Sequence, residues 1–183
     1  MSYNIPTYTP GNFSFGPGIL YVGTAGTTPS TDVGGVRSGA ELAVTRERLE
    51  VVQGSARTLV QTYVLREDVK LTVNGIEWNL DRLIDVLGTG TTSALSASQT
   101  AYSFGGDINM SNRAVRFAHT MPNDDVIYVD LWSANGGGEI TVSFGDDLHE
   151  FPYTFQALDS SLDWGGAALG ATARLFRIVR DTT

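Results

Sequence analysis

Only a few residues of this chain are of types that could perform acid–base chemistry or bind a metal ion. The two histidines are His119 and His149, and His149 lies in an acidic run, residues 146–150. Imidazole beside carboxylates can bind zinc, but a run of this kind at a turn before a strand is more typical of a solvated charge cluster. His119 is expected to end a strand shortly before Pro122. We therefore expect a structural role for both histidines.

Two groups of carboxylates also resemble sites without meeting their geometry. Residues 159–163 look like half of a calcium loop, but Trp164 stands where the tight turn needs glycine, and the closing glutamate is missing. Asp124 and Asp125 are adjacent on a predicted turn, so they do not face each other as the two carboxylates of a glycosidase do. The sequence also lacks cysteine, a phosphate-binding glycine loop and a nucleophile elbow. We therefore expect a protein that is not an enzyme and that uses neither a metal nor a cofactor.

Length and charge limit the remaining classes of function. A chain of 183 residues most simply forms one domain with one core. Its net charge of −8 argues against a protein that grips nucleic acid, because gripping requires Lys and Arg at the phosphates. An acidic wall would instead repel a passing polyanion, although acidity also simply keeps proteins soluble. No apolar run approaches the roughly 18 residues of a membrane helix, and the first residues resemble no signal peptide, so we expect no membrane anchor.

The chain is organised around residues 57–88. Period-2 alternation predicts one strand over residues 57–66 and a second, half-buried strand over residues 69–76. The period then changes to that of a helix, predicted over about residues 79–87, with Asn79 as N-cap and Gly88 as the stop. The apolar stripe of this helix comprises Leu80, Leu83, Ile84 and Leu87.

A long hairpin is predicted over about residues 40–66, with its tip at residues 53–55. The apolar positions are even-numbered before residues 46–48 and odd-numbered after them, which indicates a bulge or bend there. Polar residues on both faces would make a poor interior for a monomer, and a hairpin outside a sheet is at best marginally stable. We therefore expect partners on its far side.

Most of the remaining sequence also reads as short strands. They are predicted at residues 18–23, 113–119, 126–133, 139–144, 151–158 and 173–180. Residues 1–17 are expected to form an irregular arm, residues 89–101 a flexible connection, and residues 159–172 a loop anchored by Leu162 and Trp164. About nine strands and one helix indicate a mainly β protein, an antiparallel β-sandwich with one short flanking α-helix, in a single domain over residues 18–183.

The order and spacing of several segments resemble the major tail tube protein family of long-tailed, noncontractile bacteriophages. The match covers about residues 17–88 and is carried by residues 17–23 (Pro-Gly-Ile-Leu-Tyr-Val-Gly), 28–34 (Thr-Pro-Ser-Thr-Asp-Val-Gly), 51–55 (Val-Val-Gln-Gly-Ser), 62–73 and 74–83. The second half agrees only in its succession of strands and in residues 151–157. No single segment is specific to the family.

The resemblance implies a structural subunit of a virion. Members of the family form hexameric rings that stack into a hollow tube, and each subunit contributes strands to an inner β-barrel through which DNA leaves the capsid. The implied partners are further copies of the chain, a tape measure protein, and tail terminator and tip proteins. DNA would pass in transit without specific binding, and the tube would be assembled in the host cytoplasm as part of the phage tail.

An acidic channel wall would let DNA slide, because like charge repels the phosphates. Glu41, Glu47 and Glu50 lie on the predicted long hairpin, whereas Asp130 and Glu139 lie on strand faces opposite apolar stripes. These five residues are the candidates for facing the channel. For each of them, a solvated carboxylate on the outer surface is the alternative interpretation.

Two other classes of β-sandwich remain open at this point. Another virion protein, such as a tail terminator, a head–tail joining protein or a capsid decoration protein, would share the acidity and the missing catalytic motifs. A carbohydrate-binding or carbohydrate-hydrolysing sandwich would use exposed aromatic side chains to stack on sugars, with Tyr128 and Trp132 as candidates. Aromatic residues are, however, also favoured on strands and at subunit interfaces.

Overall fold

In a computed structural model, residue 16 and residues 18–77, 79–137 and 149–182 are described. These residues form ten strands and one helix, which confirms a mainly β protein with antiparallel sheets. The elements are β1 Ile19–Thr24, β2 Thr31–Asp32, β3 Val36–Gln53, β4 Thr58–Gly75, α1 Leu80–Leu87, β5 Thr91–Ser96, β6 Gln99–Ser103, β7 Asn112–Thr120, β8 Val126–Gly136, β9 Phe151–Ala157 and β10 Phe176–Asp181. The helix of this part of the chain is too short to cross a membrane.

Eight strands form one antiparallel sheet in the order β2-β1-β7-β8-β9-β4-β3, with β10 pairing to β8. Strand β8 joins the two halves of this sheet, because residues 126–131 pair with β10 and residues 134–136 pair with β9. A register shift in the β7–β8 pair falls between these two stretches of β8. A bulge of this kind bends a strand, so one strand can serve both halves.

Both halves of the sheet bury their inward faces in one hydrophobic core. The core draws on β1, β4, β7, β8 and β9, and its members include Leu20, Val22, Val69, Leu71, Val73, Val115, Phe117, Leu131, Phe151, Tyr153 and Phe155. The alternation predicted for β4, β7 and β8 therefore places Val69, Leu71, Val73, Val115, Phe117 and Leu131 inside. Two layers around a shared interior are consistent with a β-sandwich.

The long hairpin is confirmed, but it is longer than predicted. Strands β3 and β4 each contain 18 residues, and the turn between them includes Gly54 and Arg57, both with positive φ. The predicted irregularity is present as a register shift at Glu47 and Arg48. The prediction of two strands over residues 57–76 is wrong, because β4 continues through the charged residues 66–68. Glu67 remains at the surface, where it pairs with Arg46 at 2.8 Å.

Helix α1 is confirmed, whereas its predicted buried stripe is not. Gly88 ends the helix in the left-handed conformation with φ of 72°, and its N–H donates to the carbonyl of Ile84 at 2.9 Å. Asn79 occupies the N-cap position without a side-chain capping hydrogen bond. The buried residue of the helix is Val86, whose carbonyl packs against Gly136 of β8. The four stripe residues are only half-buried.

Residues 89–101 are not a flexible connection, since β5 and β6 pair there as a separate hairpin. Threonines at residues 91, 92 and 100 favour strands, a preference that the small-residue composition of the segment conceals. The hydroxyl of Tyr102 secures this hairpin by donating to the carbonyl of Thr89 at 2.7 Å.

The remaining predictions concern the loop over residues 159–172, the strand at residues 139–144 and the arm at residues 1–17. Trp164 anchors the loop over residues 159–172 as predicted, but Leu162 is 51% exposed and does not. The predicted strand at residues 139–144 lies outside the described residues. The predicted arm at residues 1–17 also does, apart from residue 16.

Candidate functional site

The outer part of the β3–β4 hairpin is uncovered by the rest of the described chain. We call residues 43–67 the hairpin tip, and residues 36–42 and 68–75 the hairpin base. Every residue of the hairpin tip is exposed. Nine large apolar side chains of the tip are 40–58% exposed, namely Val44, Leu49, Val51, Val52, Leu59, Val60, Tyr63, Val64 and Leu65. Exposed apolar surface beyond a few hundred Å² is typical of sites of protein–protein, membrane or ligand contact.

The backbone edges of the hairpin are also available for pairing. Strand β3 is the last strand in the sheet order, so its outer edge is unpaired within the described chain. Strand β4 pairs with β9 only over residues 70–75, so its edge over residues 58–69 is unpaired there as well. Unpaired edges are templates for strand addition, and natural proteins usually blunt or cover them. This hairpin offers an edge on each side.

A bulge in β4 interrupts the pairing of the hairpin, and apolar residues lie on both faces of the hairpin beyond it. Glu47 is opposite Arg66 and Arg48 is opposite Val64, so Leu65 is an extra residue in β4 while β3 continues its alternation. In the base, Leu42 is opposite Leu71 and packs against the core.

In the tip, Leu49 lies seven residues beyond the core-facing Leu42 on β3, so its side chain points to the other face. Tyr63 of β4 is opposite Leu49 and therefore shares that face. The apolar residues of the tip on this face therefore point away from the chain's own core. The phase slip in the β3 sequence thus places Leu49 and Val51 on the face opposite that of Leu42 and Val44.

The acidic candidates on the hairpin do not share one face. Glu41 and Glu47 lie on the face opposite the core, together with Asp68, Arg66 and Lys70 of β4. These five residues sum to a charge of −1. Within the described chain, Glu41 and Glu47 form no ion pair, whereas Lys70 lies 3.9 Å and Arg66 lies 3.8 Å from Asp68.

Glu50 points to the other face of the hairpin. It lies three residues beyond Glu47 on a strand whose alternation is unbroken, so the two side chains have opposite directions. The structure therefore brings together two of the three hairpin glutamates. Glu139, the fourth glutamate proposed for the channel, lies outside the described residues.

Asp130 cannot line a channel, and that prediction is wrong. Its side chain is fully buried and accepts hydrogen bonds from Arg116 Nε at 2.7 Å and from Arg177 at 2.8 Å. The hydrogen bond to Asp130 raises the pKa of the Arg116 guanidinium. Alternation correctly placed Asp130 opposite Leu131, but the loop that carries Trp164 covers this second face. The carboxylate therefore joins β7, β8 and β10 inside the protein.

Of the two aromatic residues considered for sugar binding, Trp132 belongs to the same buried cluster, whereas Tyr128 is half-buried. Trp132 is 3% exposed, packs edge-to-face on Trp164 at 5.1 Å, and donates its Nε1–H to the carbonyl of Ala173 at 2.8 Å. Arg177 lies over its ring at 4.6 Å, and Arg116 lies over the Tyr128 ring at the same distance. Trp132 is therefore not available to a carbohydrate.

The titratable residues considered for catalysis are dispersed over the fold. His119 is 8% exposed at the end of β7, and His149 precedes β9. Asp125 is nearly buried and pairs with Arg180 at 2.6 Å, whereas Asp124 holds a positive φ in the adjacent turn. In the described ranges, no three residues of the types His, Cys, Asp and Glu gather as a metal site would require. Residues 146–148 of the acidic run lie outside those ranges.

Comparisons with known proteins do not identify the chain. No protein-family model matches it, and no curated protein matches it significantly. The functional interpretation therefore depends on the exposed hairpin, on its free edges and on the distribution of charge.

Proposed function

We propose that this protein is the structural subunit of a bacteriophage tail tube, in which hexameric rings stack into a hollow tube that conducts DNA. The observation that carries the proposal is the hairpin tip, where 25 consecutive residues are exposed and two strand edges are unpaired within the described chain. Such a surface is unfavourable in a monomer and becomes favourable when it is covered by further copies.

The directions of the strands suit a ring. A rotation axis roughly parallel to the hairpin preserves the direction of every strand, so β4 of one copy and β3 of the next run antiparallel at their contact. This contact is heterologous, since it joins two different edges, and it can close into a ring. A closed ring of hairpins leaves no free edge, which removes the risk of uncontrolled strand addition.

The hairpin alone is too narrow a wall for a DNA channel. Six hairpins supply twelve strands, which at about 4.8 Å spacing and about 40° tilt give a backbone radius of about 12 Å. Side chains extending about 5 Å inward would exclude a duplex roughly 20 Å across. Twenty-four strands give a backbone radius of about 24 Å, which is sufficient.

Strand β9 continues the sheet beside the hairpin base, whereas β8 is paired with β9 on one side and with β7 on the other and offers no edge to a second copy. The wall we propose therefore includes β9 beside the hairpin. Three strands per subunit give a backbone radius of about 18 Å, which also admits a duplex. The connecting residues 138–148, which contain Glu139, lie outside the described part of the chain.

The face of the hairpin that carries Glu41 and Glu47 fits the inside of such a wall. Glu41 and Glu47 would each be repeated six times around the channel, and the net charge of each subunit is −8. A wall of this sign repels phosphate and avoids the counterion release that holds DNA on basic surfaces. A tape measure protein would occupy the channel before DNA does, and terminator and tip proteins would bind the two ends of the tube.

Electron microscopy of the purified protein across a concentration series, beside light scattering, tests the proposal. We expect rings or tubes with a central hole for the wild type. Leu59→Asp places a charge on the apolar surface of the tip that lies opposite the face of Glu41 and Glu47, and it should leave a folded monomer, because Leu59 is 53% exposed. Ser55→Asp in the exposed turn is the matched control and should still assemble.

Three outcomes would contradict the proposal or the contact it rests on. Wild-type protein that stays monomeric at high concentration, even with a tail-tip nucleus supplied, would exclude a tube subunit. Closed single rings that never stack would favour a terminator or a head–tail joining protein. Leu59→Asp assembling as well as Ser55→Asp would show that the hairpin tip is not the contact.

A further inference from the structure

A second exposed apolar surface lies far from the hairpin, in the segment between β6 and β7. We call residues 104–110 the apolar loop. Phe104 is 64% exposed, Ile108 is 92% exposed and Met110 is 43% exposed. The carboxylate of Asp107 accepts a hydrogen bond from the backbone N–H of Asn109 at 2.9 Å, so the tip that carries Ile108 is turned outward by a defined local bend. Ile108 is the most exposed large apolar side chain among those described.

A groove of about 360 Å³ lies on the outer face of the sheet formed by β1, β7 and β8. We call it the outer groove, and its lining includes Ile19, Tyr21, Ala118, Val126 and Tyr128. The other half of the same sheet face is covered, because Trp164 and Leu169 pack there against Ala114 and Trp132. The outer groove is thus the half of this face that the described chain leaves open.

The apolar loop and the outer groove lie at opposite ends of one strand. The loop leads into Asn112 at the start of β7, whereas Ala118 near its end lines the groove. Six residues of strand separate these positions by about 20 Å. A projection and a complementary groove at opposite ends of a molecule form a heterologous contact that repeats from copy to copy without closing.

The charges of the two surfaces are of opposite sign. The apolar loop carries Asp107 and no basic residue. Arg116 lines the outer groove and shares the buried carboxylate of Asp130 with Arg177. Two arginines and one aspartate leave this cluster with a charge of +1. The groove therefore attracts an acidic, apolar segment better than a basic one.

We propose that the apolar loop of one copy binds in the outer groove of a second copy, and that this is the axial contact between stacked rings. The assignment to ring stacking rests on the proposed function, whereas the contact between the two copies does not. Ile108 supplies the apolar anchor between Ile19 and Tyr128, and Asp107 lies toward Arg116. The contact runs along β7, while the hairpin edges supply the contact around the ring.

Disulfide crosslinking tests the contact directly, because the chain contains no cysteine. Ile108→Cys and Ala118→Cys are prepared as separate proteins and oxidised alone and as a mixture. We expect a covalent dimer in the mixture that neither protein forms alone, since the bond requires the two Cα atoms to approach within about 7 Å. A mixture that forms no such dimer under assembling conditions would overturn the inference.

A third variant asks whether the chain's N-terminal segment occupies the groove instead. Thr9→Cys is mixed with Ala118→Cys in the same way. A dimer from this mixture, together with none from the Ile108→Cys mixture, would assign the groove to the N-terminal segment and overturn the inference.

Ile108→Asp separates this inference from the proposed function. Its position is almost fully exposed, so the subunit should fold, and Ser98→Asp in the exposed β5–β6 turn is the matched control. We expect Ile108→Asp to form single rings and to lose tubes, while Ser98→Asp forms both. Tubes formed by Ile108→Asp would overturn the axial contact and leave the tube proposal intact. A wild type without rings or tubes would contradict the tube proposal, and the crosslink would still decide the contact.

Discussion

The base and the tip of the hairpin belong to the same two strands, yet they have opposite relations to solvent. In the base of β4, Val69, Leu71 and Val73 are at most 1% exposed. In the tip of the same strand, Leu59 and Leu65 are 53% and 58% exposed. The composition of the two parts is similar, since both alternate apolar residues with polar ones. The difference lies in whether a second layer of the protein covers the strand.

This comparison separates what stabilises the subunit from what prepares it for assembly. Burying a large aliphatic side chain contributes about 1.5–3 kcal/mol, so the base adds to the stability of the fold and the exposed tip adds little. An uncovered tip that stays in β conformation preserves its apolar surface and its edges for other copies. Variants of the two regions test this division between a stabilising base and an exposed tip, and the largest effect is expected in the core of the base.

Leu71→Ala and Leu59→Ala compare base and tip on one strand. Leu71→Ala should lower the free energy of unfolding of the monomer by about 2–5 kcal/mol, because it leaves a cavity in the core. Leu59→Ala should change it by no more than about 0.5 kcal/mol. Urea unfolding at a concentration below assembly gives both values. Equal losses of unfolding free energy would show that the tip is covered in the monomer and would contradict the difference between base and tip.

Asp130→Asn tests the ionic cluster that secures the covered outer face. We expect a loss of about 2–3 kcal/mol in the free energy of unfolding, at the low end for a broken buried pair because both arginines reach solvent. Glu67→Gln removes the partner of Arg46 in an exposed pair of the hairpin tip and should cost less than about 1 kcal/mol. Chemical denaturation of both variants measures the contrast. A larger loss for Glu67→Gln would contradict the division between body and tip.

Gly136→Ala tests how closely the helix packs on the body. A Cβ atom at Gly136 would overlap the carbonyl oxygen of Val86, so helix and strand must move apart. We expect a loss of about 1–3 kcal/mol in the free energy of unfolding. Gly137→Ala is the neighbouring control, since a Cβ there meets nothing within 4 Å, and it should be close to neutral. Thermal unfolding of the pair is sufficient, and equal melting temperatures would refute the close packing.

Tyr153→Phe should produce the smallest effect, visible only at high pH. Burial, and then the charge of Glu77, raise the pKa of the Tyr153 phenol above its ordinary value of 10.0. Above about pH 10 the unfolded chain therefore releases this proton first, and the stability of the native state falls as pH rises toward the folded pKa. Tyr153→Phe should flatten that fall between about pH 9 and about pH 11. Tyr63→Phe in the exposed tip is the control, and an unchanged slope for Tyr153→Phe would contradict the assignment.

Much of the fold follows from local patterns. Alternation at β4 and β7 predicted which residues enter the core, and the stop of α1 at Gly88 followed from glycine's access to positive φ. The turn and the bulge of the hairpin were predicted for the same reason, because each leaves a mark within a few residues. The charged residues 66–68 misled the prediction of β4, since charge at an exposed strand position does not end a strand.

The candidate site was predicted less completely. An uncovered long hairpin was expected from its polar positions, and Glu41 and Glu47 do share a face. Glu50 was misplaced because the three-residue step from Glu47, which reverses the direction of a side chain on a strand, was not taken into account. The apolar loop and the outer groove were missed, since Phe104, Ile108 and Met110 follow no strand or helix period.

The sequence by itself determined which side chains share a face of a strand, where the chain turns, and the acidity of the whole. The tertiary structure alone decided which of those faces are covered. Asp130 and Glu41 illustrate the difference, because each lies on the polar side of its own strand. Residues 159–175 fold over Asp130 from far along the chain, whereas no described segment covers Glu41. Local alternation depends on backbone geometry within a few residues, but burial depends on contacts between segments that are distant in sequence.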